Sequence, residues 1–159
     1  EAAALLSQAV ARAAGPASTW PDGPVIDAYG GVGLLAATVV PPDRSVIVIE
    51  ENPAAAADAV HNLADRPAEV AVVPVEAWRP RPAGLVVADP ARAGLGQHAA
   101  AVLAACRAAT LVLVSCDPVA LARDARLLAG HGYRLASCEV LDLFPQTHHV
   151  EVVSRFERV

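Results

Sequence analysis

Tyr133-Arg134-Leu135-Ala136-Ser137-Cys138-Glu139-Val140-Leu141 and His149-Val150-Glu151-Val152-Val153-Ser154-Arg155-Phe156-Glu157-Arg158 close the chain, separated only by residues 142–148. Both runs are rich in β-branched, aromatic and alternating apolar residues, the composition of strands. A crossover helix joining parallel strands needs a dozen residues or more, and seven cannot supply it. The two runs are therefore expected to pair antiparallel.

Upstream the pattern differs. Apolar runs at 25–29, 45–50, 69–74, 85–89 and 110–115 alternate with Ala-rich stretches of helical character at 2–14, 34–40, 53–65, 97–107 and 118–129. The short runs are apolar on both faces, as parallel strands covered by helices on both sides are. Pro53 and Pro118 stand where a first-turn proline is tolerated, and Gly130 is read as a helix stop. The reading is one α/β domain over 1–159: a seven-stranded, mostly parallel sheet with an antiparallel C-terminal strand and helices on both faces. A plain dinucleotide-binding domain would continue with another crossover helix, whereas the β-β ending is the layout of Rossmann-like methyltransferases.

Composition narrows the function classes. The chain has 159 residues, 55% of them hydrophobic, and a formal net charge of −5. That length supports one domain with a substantial core. The acidic balance argues against an autonomous basic nucleic-acid clamp. No stretch approaches the roughly 18 apolar residues of a membrane helix, so a soluble, cytoplasmic protein is expected. All twelve cations are Arg and there is no Met, so the chain reads as a piece of a longer protein. Cys106, Cys116 and Cys138 form no CxxC pair, which disfavours disulfides and structural zinc. His148, His149 and Glu151 lack a fourth ligand at metal spacing, so no metal is expected.

After the first strand comes Asp27-Ala28-Tyr29-Gly30-Gly31-Val32-Gly33-Leu34, a glycine-rich strand-to-helix turn of the kind that lets backbone approach a ligand. The second strand ends in Glu50, near the ~20-residue separation at which an acid accepts hydrogen bonds from ribose hydroxyls. Gly31-x-Gly33-x-x-Ala36 also satisfies the dinucleotide fingerprint, so a nicotinamide cofactor stays open on the loop alone. Combined with the β-β tail, the loop favours S-adenosyl-L-methionine.

Three further segments occur in order: Asp89-Pro90-Ala91-Arg92-Ala93-Gly94, Ser115-Cys116-Asp117-Pro118, and the stretch from Asp142 through Phe144, Pro145, Thr147 and His149 to Glu151. With their DPxRxG, SCxP and DxFPxTxHxE patterns, the chain resembles the C-terminal catalytic domain of the RNA (uracil-5-)-methyltransferases that modify tRNA and 23S rRNA. The resemblance runs from the first helix to the last strand. It implies methyl transfer from S-adenosylmethionine to carbon 5 of a uridine, with RNA as partner and no membrane or protein partner. By motif position it makes Cys116 the nucleophile and Glu151 the proton acceptor. It places Tyr29, Gly31, Gly33, Glu50, Glu76 and Asp89 at the cofactor, and Arg92, Pro118 and His149 at the substrate. Arg92 alternatively braces its own loop, while Cys106 and Cys138 are read as buried structural cysteines. RNA-binding domains are expected upstream.

The chemistry agrees with that assignment of residue types. Uracil carbon 5 is a poor nucleophile until a thiolate adds to carbon 6, and a base must later remove the carbon 5 proton. Cys116 precedes a proline-started helix whose N-terminus favours thiolate over a free-thiol pKa of roughly 8.5, with Asp117 opposing. Where the family has Tyr, Asn and Thr around the nucleophile, this chain has Leu113, Asp117 and Ala120. In the glycine loop Gly30 and Leu34 replace a common Cys and a common Asn. Two alternatives follow from these features. One is an NAD-binding oxidoreductase domain. The other is a catalytically degenerate RNA-binding or scaffold domain, suggested by the changes around Cys116.

Overall fold

The computed structural model of the chain describes residues 1–143 and 150–159. Its strands are β1 (Val25–Ala28), β2 (Val46–Ile49), β3 (Ala68–Ala71), β4 (Leu85–Ala88), β5 (Thr110–Ser115), β6 (Tyr133–Leu141) and β7 (Glu151–Arg158). The helices are α1 (Ala2–Ala14), α2 (Leu34–Val39), α3 (Pro53–Asn62), α4 (Gly96–Ala105) and α5 (Pro118–Gly130). All seven strands form one sheet in the order β3-β2-β1-β4-β5-β7-β6. The first five are parallel, and β7 runs antiparallel to both β5 and β6. This is the architecture read from the sequence, with β7 running from Glu151.

Alternating side chains explain why the central strands look apolar throughout. Ile26, Ala28, Ile47, Ile49, Val86, Ala88, Leu111 and Leu113 face a core completed by Leu103 of α4 and Leu128 of α5. Val25, Val46, Val48, Leu85, Val87, Val112 and Val114 face the other core, against Val10, Leu35 and Ala59 of α1, α2 and α3. Each strand residue therefore loses water on one side or the other, and no polar face is left.

Two expectations change at the sheet edges. β3 is not a buried strand: Ala68 and Glu69 are exposed, because β3 is the edge and only β2 covers it. It also stops at Ala71, level with the end of β2, and Pro74 then leads into the single tight turn Val75–Ala77. On the opposite edge β6 is largely exposed, and Cys138 lies there in the open. Its Sγ is 3.4 Å from Ser154 Oγ. Only Cys106 is the buried structural cysteine expected. Gly130 is the last residue of α5 rather than a stop beyond it.

Helix starts follow local chemistry. Asn52 caps α3, accepting from Ala54 N at 2.9 Å, and Asp117 caps α5, accepting from Val119 N at 2.8 Å and Ala120 N at 3.0 Å. Prolines follow both caps, where the missing N–H costs nothing. At β1 the device is longer range: Asp27 Oδ2 accepts from Ala36 N of α2 at 3.0 Å, while Oδ1 is buried with no hydrogen-bond partner. Burial, with the nearby Asp89 adding to it, pushes the Asp27 carboxyl up to about 7 against the bond from Ala36.

A carboxyl with a raised folded-state pKa lends stability in full below its unfolded value and loses it as pH rises through the folded one. Asp27 therefore weakens the fold progressively between about pH 4 and 7. Asp27→Asn keeps an acceptor for Ala36 N but cannot ionise. Its stability relative to the parent should rise by roughly 2–3 kcal/mol between pH 5 and pH 8. Thermal or urea unfolding at the two pH values measures this, and an offset independent of pH would contradict it.

Candidate active site

The strand order reverses between β1 and β4, the neighbours whose connections lead to opposite sides of the sheet. Ligands of open α/β sheets bind in the crevice outside the carboxyl ends of such a pair. Tyr29 follows β1 and Asp89 follows β4, with Asp89 N donating to Ala28 O at 3.2 Å. Between them opens a cavity of about 410 Å³ lined by Tyr29, Ile49, Glu50, Val73, Glu76 and Asp89, among others.

The glycine turn is shaped by contact and by backbone sign. A Cβ on Gly30 would lie 2.6 Å from Val48 Cγ1, so the cysteine common in the family has no room here. Gly31 (φ 54°) and Gly33 (φ 84°) are left-handed, and so is Tyr29 (φ 60°), an uncommon conformation for a residue with a side chain. Glu50 fastens the turn: its carboxylate accepts from Gly31 N at 2.9 Å and from Asn52 N at 2.7 Å. Two backbone donors hold that carboxylate at the cavity wall, with oxygen lone pairs left for further donors.

A second group of side chains gathers around the end of β5. In the β5–β7 register Ser115 is opposite Val152, which brings Glu151, the first residue of β7, level with Cys116. Partial burial, reinforced by the Glu151 charge, raises the Cys116 thiol above its ordinary value, while Arg92 acts to lower it. Desolvation and a facing carboxylate thus oppose the thiolate that the helix N-terminus was expected to favour. Glu151 is raised in turn by burial and by Asp89. Burial pushes Asp89 up to about 6.

Asp117, in the family's Asn position, carries a charge that is already engaged. Its two bonds from the α5 amides, with Arg92 Nε at 3.4 Å, hold its carboxyl below the usual range. A helix cap serves with Asp as with Asn. Arg92 braces the loop through this pair, the second of the two roles read for it.

The structure thus brings Tyr29, Glu50, Glu76 and Asp89 around one crevice, with Gly31 bonded to Glu50 at its wall, and gathers Glu151 and Arg92 near Cys116, with Asp89 acting electrostatically on Glu151. Gly33 packs toward Leu63 of the segment after α3, and Pro118 simply follows Asp117 as the first residue of α5. His149 lies outside the described residues, as does most of the segment before Glu151. Among the described residues no cluster of three side chains could hold a metal, and no helix is long and apolar enough to cross a membrane. Sequence reading gave no role to Asp27 or to Asp124. Asp124 is fully buried on α5 and accepts from Leu95 N at 2.7 Å. Its signal was available: Ala120, Asp124 and Leu128 recur every four residues, so a carboxylate interrupts an apolar helix stripe.

No protein-family model matches the chain. It is 39% identical over 142 residues to an RNA methyltransferase of Streptomyces avermitilis, a match covering 83% of this chain and 32% of that protein. It is 37% identical over 163 residues to the 23S rRNA (uracil(1939)-C(5))-methyltransferase RlmD of Pseudomonas putida, covering 97% of this chain and 35% of the relative. Among solved structures, the tRNA (uracil-54, C5)-methyltransferase of Pyrococcus abyssi, in complex with S-adenosyl-L-homocysteine, superposes with a TM-score of 0.82 at 28% identity. That superposition covers 97% of this chain and 38% of the other. The chain spans about a third of the length of the curated relatives it matches. By sequence and fold, the chain is similar over most of its length to one part of RNA methyltransferases that include uracil-C5 enzymes, and it has the fold of the S-adenosylmethionine-dependent methyltransferases.

Proposed function

We propose that the protein methylates carbon 5 of a uridine in tRNA or ribosomal RNA, and that this chain is its catalytic domain. The observation that carries the reading is the placement of Glu151 beside Cys116, next to a crevice walled by Glu50 and Asp89. A thiol facing a carboxylate raised by burial suits addition to a pyrimidine ring followed by removal of a proton. An oxidoreductase domain gives this pair nothing to do, and the methyltransferase relatives remove the motive for that reading.

The crevice fits S-adenosylmethionine. Ile49, Val73 and Val75 offer apolar walls, while Glu50 offers an oriented acceptor for ribose hydroxyls and Glu76 an acidic rim near the adenine. When bound, that cofactor supplies an electrophilic methyl group. Cys116, as thiolate, forms a bond from Sγ to uracil carbon 6, and the ring electrons move toward carbon 5, making it nucleophilic. Once carbon 5 is methylated, Glu151 takes its proton. The electrons of that C–H bond restore the ring double bond and expel the Cys116 thiolate. Arg92 favours the thiolate at the start, and Asp89, close enough to raise Glu151, keeps the base basic enough to act. Arg92, Pro118 and His149 are the residues proposed to meet the RNA. With a net charge of −5, the chain leaves most phosphate contacts to other parts of the protein, in the cytoplasm where such RNA is found.

In the complete protein, RNA carrying 5-fluorouridine should form an adduct that survives denaturation, because fluorine at carbon 5 cannot leave as a proton. Cys116→Ala should abolish the adduct. Glu151→Gln should form it normally, yet slow turnover of ordinary RNA by about 10²–10⁴-fold. Adduct formation by Cys116→Ala would sink the assignment, and persistent methylation by that variant would favour a different chemistry.

Glu50→Ala should weaken S-adenosylhomocysteine binding by about tenfold, or ~1.4 kcal/mol, in a calorimetric titration. NAD binding in its place would restore the oxidoreductase reading. The methylation rate should climb toward alkaline pH as the Cys116 thiol ionises. Arg92→Ala should move that climb to still higher pH, because the cation facing the thiolate is lost. An unmoved pH profile would show that Cys116 ionisation does not limit the rate.

A further inference from the structure

The loop from Asp89 to Leu95 joins β4 to α4, and α4 begins without a side-chain cap of its own. Its first amides are satisfied from another helix. Asp124 of α5 accepts from Leu95 N at 2.7 Å through Oδ2 and from Gly96 N at 3.3 Å through Oδ1. Arg123, the preceding residue, donates to Ala93 O and reaches the same carboxylate at 3.2 Å. Gly94 is left-handed (φ 74°), and a Cβ there would collide with Asp124 Oδ2. The loop therefore approaches α5 as closely as backbone can.

The same loop is tied to the same helix a second time, two turns nearer its start, where Arg92 pairs with Asp117. Asp117 is the residue after Cys116 and the N-cap of α5. The middle of the loop and its end are thus each fastened to α5, the helix that begins just after Cys116. A fully buried carboxylate costs desolvation energy, and alanine or leucine would continue the Ala120–Leu128 stripe without it. Asp124 is thus expensive as packing and accounted for by what it holds.

We propose that Asp124, assisted by Arg123, is a positioning residue. It acts through the 93–96 backbone to set Arg92 at a fixed distance from Cys116, and so governs thiol addition to the pyrimidine rather than cofactor binding. This rests on the uridine C5 reading above. The cofactor wall at Glu50 is held independently by Gly31 N and Asn52 N, so the two functions separate.

The test uses the complete protein with Asp124→Asn, Asp124→Ala and Gly94→Ala. Three quantities are read: the rate of adduct formation on 5-fluorouridine RNA, the Kd for S-adenosylhomocysteine, and hydrogen exchange of the Leu95 and Gly96 amides. Asp124→Ala should slow adduct formation about 100-fold, the scale of a misplacement near 1 Å. Asp124→Asn, which retains one acceptor, should fold in any case and slow it about tenfold. Gly94→Ala should resemble Asp124→Ala. Cofactor Kd should move less than about threefold, and exchange of the two amides should speed up at least about tenfold in Asp124→Ala. Adduct formation at the parent rate in Asp124→Asn and Gly94→Ala would overturn the proposal. Loss of cofactor affinity in step with the adduct would also overturn it, by showing a merely structural role. If the parent protein itself forms no adduct, the uridine reading fails, and the clasp is judged on amide exchange alone: unchanged exchange refutes it.

Discussion

The antiparallel insertion of β7 between β5 and β6 is the constraint on which the site depends. β5 is the last parallel strand, and its carboxyl end delivers Cys116. Because β7 runs the opposite way, its first residues arrive at that same end, and the β5–β7 ladder sets Glu151 level with the cysteine. A parallel β7 would have delivered its C-terminal residues there instead. Six paired positions between β5 and β7 and the buried Val152, Val153, Ser154 and Phe156 hold this register. A one-residue slip would send every one of those side chains to the wrong face.

Around that ladder the crevice concentrates carboxyl groups in a partly dehydrated place. Asp27, Asp89 and Glu151 all have pKa values raised by burial, and the charge of Asp89 adds to the rise at both of the others. Such a crowd destabilises the fold at neutral pH, and its retention is better explained by chemistry than by stability. Opposing charge is supplied sparingly. Arg92 stands against Asp117 at the mouth, and Arg123 stands against the buried Asp124 further along α5. Backbone amides do the remaining neutralisation, at Glu50 from the glycine turn and at Asp124 from the start of α4.

Much of this was legible in the order of residues. The alternation of apolar runs with Ala-rich stretches, the first-turn prolines Pro53 and Pro118, and a tail connection too short for a crossover helix each state a local rule that the fold obeys. The motif residues were legible as well, since Glu50, Asp89 and Cys116 each come directly after a strand and Glu151 begins one, all at the carboxyl edge of the parallel strands. Edge exposure was not legible. Ala68–Ala71 reads like its neighbours, and only the absence of a strand beyond β3 leaves Glu69 in solvent. For the same reason Cys138 reads as buried while β6 leaves it open.

By itself, then, the sequence determined the α/β alternation and the antiparallel ending and put forward the candidate reactive side chains, because periodicity, capping and chain length between elements are local properties. Tertiary structure decided the electrostatics: which carboxyls lose water, which charges face the Cys116 thiol, and which amides Asp124 holds. Those outcomes depend on groups brought together from separate strands and helices, as Cys116 is with Glu151 and Leu95 with Asp124. Burial and Coulomb energies are functions of distance in space, which no spacing along the chain specifies.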